Sequence, residues 1–131
     1  MRIMIDTNIL LSALVFNSTR LSGLLEYVAE NHTLILCSYV IEEFNAVVTR
    51  KSLKYEKVLD GFLSKLSFEM VYTPEWKEYM PRIRDVKDRP ILASAIVSDV
   101  DILITGDKDF SDIEIERPEI LIPSEFLEQY T

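Results

Sequence analysis

The segment that decides the fold is Arg2-Ile3-Met4-Ile5-Asp6-Thr7-Asn8, a short apolar run that ends abruptly at an acidic residue. A strand that is almost wholly apolar is typical of a parallel sheet that is buried on both faces. Ligands of such sheets bind just outside the carboxyl ends of the strands, which is where Asp6 stands. The segment therefore predicts a buried strand with a polar site at its end.

Further apolar runs of the same kind follow along the chain. They predict strands over 33–37, 68–72, 101–104 and 120–122. Apolar residues at helical spacing predict helices over about 20–30, 39–50, 54–66 and 90–98, a short helix at 74–80, and a terminal helix from Pro123. Because strands alternate with helices, we predict an α/β layer fold with a parallel sheet.

Size and composition indicate an ordinary soluble protein. The chain has 131 residues, of which 48% are hydrophobic and 27% charged, and we expect a single domain over 1–131. Its one cysteine, Cys37, has no partner for an internal disulfide, which fits a reducing compartment. We find no signal peptide and no apolar run that is long enough to span a bilayer, so we expect a cytoplasmic protein without membrane contact.

The charge of the chain needs an explanation if its ligand is a nucleic acid. Fourteen Lys and Arg residues oppose 22 Asp and Glu residues, which gives a formal net charge of −8. Such a charge argues against simple nucleic-acid binding, because phosphate contacts need cations. It is compatible with a nuclease whose acids are clustered around a divalent ion, since the bound ion reverses the local sign.

Three acids stand at or near the predicted sheet edge. Asp6 closes the first strand, Asp107 follows the fourth strand, and Asp88 begins the helix that leads into that fourth strand. The helix after the second strand adds a fourth candidate. Projection at about 100° per residue puts Glu42 in solvent and Glu43 on the boundary of the apolar face, so we choose Glu43.

The predicted donor set consists of carboxylates. Oxygen ligands in this number suit Mg²⁺ or Mn²⁺, whereas zinc would require His or Cys, and the only histidine, His32, lies in a polar turn. The chemistry indicated is hydrolysis of a phosphate ester by activated water. Ordinary interpretations stay open for all four acids: Asp6 as a turn residue at the end of a strand, Asp88 as a helix N-cap, Asp107 in a plain polar loop, and Glu43 as a surface acid.

These residues together resemble PIN domains, and most closely the stand-alone VapC-like ribonucleases that act as toxins of type II toxin–antitoxin pairs. The resemblance extends over nearly the whole chain, from Arg2 to Leu127. It is carried by Asp6-Thr7-Asn8, Ile41-Glu42-Glu43-Phe44, Asp88 before Pro90, and Thr105-Gly106-Asp107-Lys108-Asp109-Phe110. It implies a three-layer α/β/α sandwich with a central parallel sheet of about five strands. It also implies Mg²⁺ or Mn²⁺ as cofactor, cleavage of single-stranded RNA, frequent homodimers, and a small protein antitoxin as partner.

The resemblance also implies a role for individual positions. The family's catalytic acids fall on Asp6, Glu43, Asp88 and Asp107, and its metal ligands on Asp6, Asp88, Asp107 and Asp109. Thr7 and Asn8 occupy supporting polar positions, and Thr105 supplies a hydroxyl that orients the acids. The segment Arg84-Asp85-Val86-Lys87-Asp88-Arg89-Pro90 is less acidic than is usual in the family, so Asp85 could substitute for Asp88 as the third acid or assist it.

Basic residues near the predicted site are candidates for contact with RNA. They are Arg82, Arg84 and Lys108, and Lys87 also flanks the site. The main alternative function is a catalytically degenerate PIN domain that acts as an RNA-binding or protein-interaction module. A phospho-acceptor domain is disfavoured, because Asp6 has no acidic neighbour on the first strand.

Overall fold

The structure, a computed structural model, describes residues 1–51, 60–61 and 64–131. Its strands are β1 (Arg2–Ile5), β2 (Thr33–Cys37), β3 (Glu69–Val71), β4 (Ile102–Ile104) and β5 (Glu119–Leu121). Its helices are α1 (Thr7–Leu14), α2 (Thr19–Asn31), α3 (Ser38–Lys51), α4 (Arg89–Val97) and α5 (Pro123–Tyr130). Two short 3-10 turns lie at Val86–Asp88 and Lys108–Phe110.

The strands form one parallel sheet in the order β3-β2-β1-β4-β5. Strand β1 is central, and Ile3 is in register with Leu34 on one side and with Ile102 on the other. Ile5 is in register with Ile104, so β1 and β4 end side by side. The residues that follow these two strands are therefore neighbours, although they are far apart in the sequence.

Helices cover both faces of the sheet. Ile3, Met4 and Ile5 are consecutive in β1 and each is fully buried. Because successive strand residues point to opposite faces, both faces of β1 are covered. Helices α2 and α3 pack against β2, and α5 packs against α2 and β5. The predicted α/β/α sandwich with a parallel sheet is confirmed.

The predicted elements agree with the observed ones to within one or two residues, with one error and one part that is not described. The short helix predicted at 74–80 is wrong, since this segment is irregular and ends in a turn in which the Met80 amide donates to the Lys77 carbonyl at 3.0 Å. A helix this short, between Pro74 and Pro81, has too few internal hydrogen bonds to be stable alone. The helix predicted over 54–66 lies mostly outside the described residues.

None of the helices within residues 1–51, 60–61 and 64–131 is both long enough and apolar enough to cross a bilayer.

Candidate active site

Asp6 joins the end of β1 to the start of α1. It is the N-cap of α1, and its Oδ1 accepts a hydrogen bond from the Ile9 amide at 3.0 Å. Its Oδ2 accepts a hydrogen bond from the hydroxyl of Thr105, the first residue after β4. Only 3% of Asp6 is exposed, and burial raises its pKa, while the bonds from Thr105 and Ile9 act in the opposite direction. Both carboxylate oxygens are thus held in one orientation.

The segment after β4 extends this network toward two further acids. The Thr105 hydroxyl oxygen accepts a hydrogen bond from the Asp107 amide at 3.1 Å. The Asp107 carboxylate in turn accepts one from the Asp109 amide at 2.9 Å, which caps the second 3-10 turn. Phe110 ends that turn and is fully buried, so it anchors the acidic loop in the core.

Glu43 comes from α3 and lies near the first turn of α1. The Thr7 hydroxyl donates to Glu43 Oε1 at 2.6 Å. Glu42 is exposed and Glu43 is half-buried, as the helical projection predicted. Tyr39 lies one turn before Glu43, and burial together with the nearby negative charge of Glu43 raises the pKa of its hydroxyl. Tyr39 was not among the predicted site residues, although its spacing of one helical turn from Glu43 was a usable signal.

Asp88 ends the first 3-10 turn and occupies the N-cap position of α4. Within the described part of the chain its side chain makes no capping hydrogen bond, so the capping interpretation is not supported. Its Oδ2 is buried, with no hydrogen-bond partner among those residues. Burial first, then the adjacent Asp107 carboxyl and the charges of Asp85 and Asp109, raise the pKa of Asp88 to about 7.

One cleft brings the four predicted catalytic acids together. It has a volume of about 230 Å³, and its polar lining residues are Asp6, Thr7, Asn8, Glu43, Asp85, Lys87, Asp88 and Asp107. The cleft opens beyond the ends of β1 and β4, which is the expected place for a ligand site in a parallel sheet. Thr105 lies behind it, buried against Asp6.

Asp109 belongs to an adjoining cluster of acids. One carboxylate oxygen each from Asp85, Asp88 and Asp109 lie within 4.8 Å of one another. Asp85 and Asp88 therefore take part in both groups, since both also line the acidic cleft. The sequence offered Asp85 as a residue that substitutes for Asp88 or assists it, and the structure puts the two carboxylates side by side.

The three residues predicted to contact RNA, Arg82, Arg84 and Lys108, lie in different places around the acidic cleft. The guanidinium nitrogens of Arg84 lie 4.0 Å from a carboxylate oxygen of Asp109 and 3.9 Å from one of Asp112, and the side chain is mostly exposed. Arg82 and Lys108 do not line the acidic cleft, and each lines a different neighbouring one. Of the described residues, Lys87 is the one cationic residue in the lining of the acidic cleft. The RNA-contact roles of Arg82, Arg84 and Lys108 stay predictions.

The donor set of the acidic cleft fits a hard divalent cation. Its polar lining contains five carboxylates and no His or Cys among the described residues. Carboxylates that line one cleft repel one another unless a positive charge offsets the repulsion. The unpartnered Asp88 Oδ2 is an oxygen for which the described residues provide no donor. Oxygen ligands with this charge suit Mg²⁺ or Mn²⁺.

Comparison with known proteins agrees with this geometry. The model of the PIN domain family matches residues 2–109. The chain belongs to the PIN domain family. No curated protein sequence matches it significantly.

Solved structures extend the comparison to nearly the full chain. A chain of VapBC2 from Rickettsia felis, bound to a DNA fragment from its promoter, is 25% identical, with a TM-score of 0.74 over 92% of this PIN domain and 97% of that chain. A chain of DNA-bound VapBC from Salmonella typhimurium is 17% identical, with a TM-score of 0.65 over 92% and 96% of the two chains. The second likeness shows the fold alone. The resemblance to VapC-like PIN domains is confirmed.

The raised pKa of Asp88 predicts how the stability of the metal-free protein depends on pH. Folded Asp88 holds its proton up to about pH 7, whereas an ordinary Asp has a pKa of 3.8. Unfolding releases that proton between these values, so the free energy of unfolding falls as the pH rises through this range. We expect Asp88→Asn to reduce the fall, as measured by urea denaturation in EDTA across the range.

The control for this experiment is Glu26→Gln, which changes an exposed acid on α2. It should leave the pH dependence of the wild type unchanged. Equal slopes for the wild type and Asp88→Asn would show that Asp88 does not titrate as the geometry implies.

Proposed function

We propose that this PIN domain is a metal-dependent endoribonuclease that cleaves single-stranded RNA. The observation that carries the proposal is the convergence of Asp6, Glu43, Asp88 and Asp107 on one cleft. Four acids in one place destabilise a fold unless they serve a ligand, because their charges repel. Membership of the PIN domain family and the likeness to VapBC chains support a nuclease.

In this proposal Asp6, Asp88 and Asp107 hold Mg²⁺ or Mn²⁺, and Asp109 assists from the adjoining cluster. When bound, the ion supplies Lewis-acid polarisation of the scissile phosphate and lowers the pKa of a coordinated water. Thr105 keeps Asp6 oriented toward this task through the hydrogen bond between them. The buried, unpaired Oδ2 of Asp88 is the oxygen that gains most from a cation.

Glu43 is the proposed acceptor for the proton of the attacking water. Its Oε1 accepts a hydrogen bond from the Thr7 hydroxyl at 2.6 Å. The bond from Thr7 fixes the side chain, so the carboxylate needs little reorganisation when the reaction occurs. Asn8 is exposed at the rim of the cleft, and Lys87 contributes a positive charge there for the approaching RNA.

The direct test is cleavage of a labelled single-stranded RNA by the purified protein. We expect cleavage with Mg²⁺ or Mn²⁺, none after addition of EDTA, and none above background for Asp6→Asn. Asparagine retains N-capping ability, so this variant should fold while its side chain loses the charge that binds the metal. Glu26→Gln on the exposed face of α2 should cleave like the wild type.

Cleavage that persists in Asp6→Asn would refute the assignment of the site. If the wild type binds RNA but never cleaves it, with either ion, the chain is instead a degenerate PIN domain that acts as a binding module. Calorimetric titration with Mn²⁺ separates these cases further, because a degenerate site would release no heat of binding.

Thr105 is proposed to act through Asp6, as a positioning residue. Thr105→Val has nearly the same shape but donates no hydrogen bond to Asp6. Loss of an outer-shell partner typically lowers metal affinity or activity by about 10–100-fold, and we expect an effect of this size. The measurement is the Mn²⁺ dissociation constant by calorimetry, with cleavage at saturating metal as the second readout, and Thr105→Ser should restore most of both. An unchanged Mn²⁺ affinity in Thr105→Val would contradict the positioning role.

The second part of the proposal is that the protein is the toxin of a toxin–antitoxin pair. The similar chains come from structures of VapBC with DNA, and this supports a protein antitoxin as the partner. A homodimer is a further expectation for this chain.

We expect induced expression in a bacterial host to arrest growth, and Asp6→Asn to be harmless at the same protein level. Coexpression of a small protein encoded beside this gene should restore growth and copurify with the chain. Growth arrest by Asp6→Asn at the wild-type level would separate toxicity from the acidic site and overturn this role.

A further inference from the structure

A second cleft adjoins the acidic one and has a different character. Its volume is about 390 Å³, and it is lined by Trp76, Glu78, Met80, Arg82 and Arg89. The two clefts meet at consecutive residues, because Asp88 lines the first and Arg89 lines the second. The Cα atoms of consecutive residues are about 3.8 Å apart, so both clefts border the N-terminus of α4.

Arg89 has an unsatisfied donor. Its Nε is buried and has no hydrogen-bond partner among the residues that the structure describes. Its guanidinium carbon lies 5.3 Å from the centre of the Trp76 ring, so the aromatic ring supports one face of the planar group. Stacking of this kind leaves the N–H groups at the edge of the guanidinium for an anion. Buried donors without partners are rare in folded proteins, and they indicate an absent ligand or water.

Arg82, on the same cleft, is also without an acid partner. Arg2, Arg84 and Arg117 all form ion pairs with Asp or Glu, but neither Arg82 nor Arg89 has one within the described ranges. Glu78 is the one acid of the lining and pairs with neither arginine there. The cleft therefore carries a surplus of positive charge on a chain whose net charge is −8.

We propose that this second cleft binds a phosphate of the RNA strand adjacent to the phosphate that is cleaved. The inference rests on the proposed function, since it takes the acidic cleft to be the site of cleavage. Arg89 and Arg82 donate hydrogen bonds to the phosphate oxygens, and Trp76 keeps the Arg89 guanidinium in place. Four of the 14 Lys and Arg residues lie between positions 82 and 89, so this segment is where an acidic protein can attract RNA.

An acidic protein segment is the rival occupant, since carboxylates also pair with arginine. The position of the cleft favours RNA. Asp88 lines the acidic cleft and Arg89 lines this one, and the two residues are consecutive at the start of α4, so the cleft lies beside the proposed cleavage site. Binding there would offset the repulsion that the acids exert on the rest of the strand.

The test measures the affinity of a fluorescent single-stranded RNA by anisotropy, with Mg²⁺ and on the Asp6→Asn background so that the RNA stays intact. Because hydrogen bonds to charged groups are strong, Arg89→Gln should weaken binding about tenfold or more. Arg82 is exposed, so Arg82→Gln does not endanger folding, and this variant should also weaken RNA binding. Each should reduce the slope of log affinity against log salt by about 0.7, the value for one single-strand phosphate contact.

The matched control is Arg20→Gln, which removes the same charge from an exposed position on α2. It should change neither the affinity nor the salt slope appreciably. If Arg82→Gln and Arg89→Gln behave like this control while the wild-type enzyme cleaves RNA, the inference is wrong and the nuclease assignment stands. If binding depends on both arginines but no cleavage occurs, the phosphate site stands and the nuclease assignment fails. Weakened binding of polyglutamate, with RNA binding unchanged, would identify an acidic protein as the occupant and overturn the inference.

Discussion

The hydrogen bond from the Thr105 hydroxyl to the Asp6 carboxylate is the contact on which the site depends. It links the residues that follow β1 and β4, and these strands end together because Ile5 and Ile104 are in register. The same hydroxyl oxygen accepts a hydrogen bond from the Asp107 amide, so one threonine sets the positions of two acids. A shift of either strand by one residue would turn Asp6 or Thr105 to the opposite face and separate them.

The acidic cleft is held against its own electrostatic repulsion. Burial and neighbouring carboxylates raise the pKa of Asp88 to about 7, and burial raises that of Asp6. The surrounding structure stabilises the arrangement. Ile3, Met4 and Ile5 of β1 are fully buried, the Thr7 hydroxyl donates a hydrogen bond to Glu43, and the fully buried Phe110 anchors the loop that carries Asp107. Groups that disfavour folding persist where a ligand uses them, and this is the physical basis of the metal proposal.

Two consecutive residues at the start of α4 line two clefts of opposite charge. Asp88 faces the acids, and Arg89 lines the neighbouring cleft with its guanidinium against Trp76. This division answers the objection raised by the net charge of −8, because binding of RNA and binding of metal need not occupy the same surface. A local surplus of cations beside a metal site is sufficient for a polyanion to approach.

The sequence by itself determined the parallel sheet and most of the proposed site. Apolar runs and helical periodicity are local signals, so they sufficed to predict the strands, to put Asp6 and Asp107 beyond strand ends, and to choose Glu43 over Glu42. The tertiary structure decided that Asp85 lies beside Asp88, that Asp88 does not cap its helix, and that Arg89 packs on Trp76. It also removed the helix predicted at 74–80. These features depend on which side chains meet across the chain, and such contacts arise only when the elements pack together.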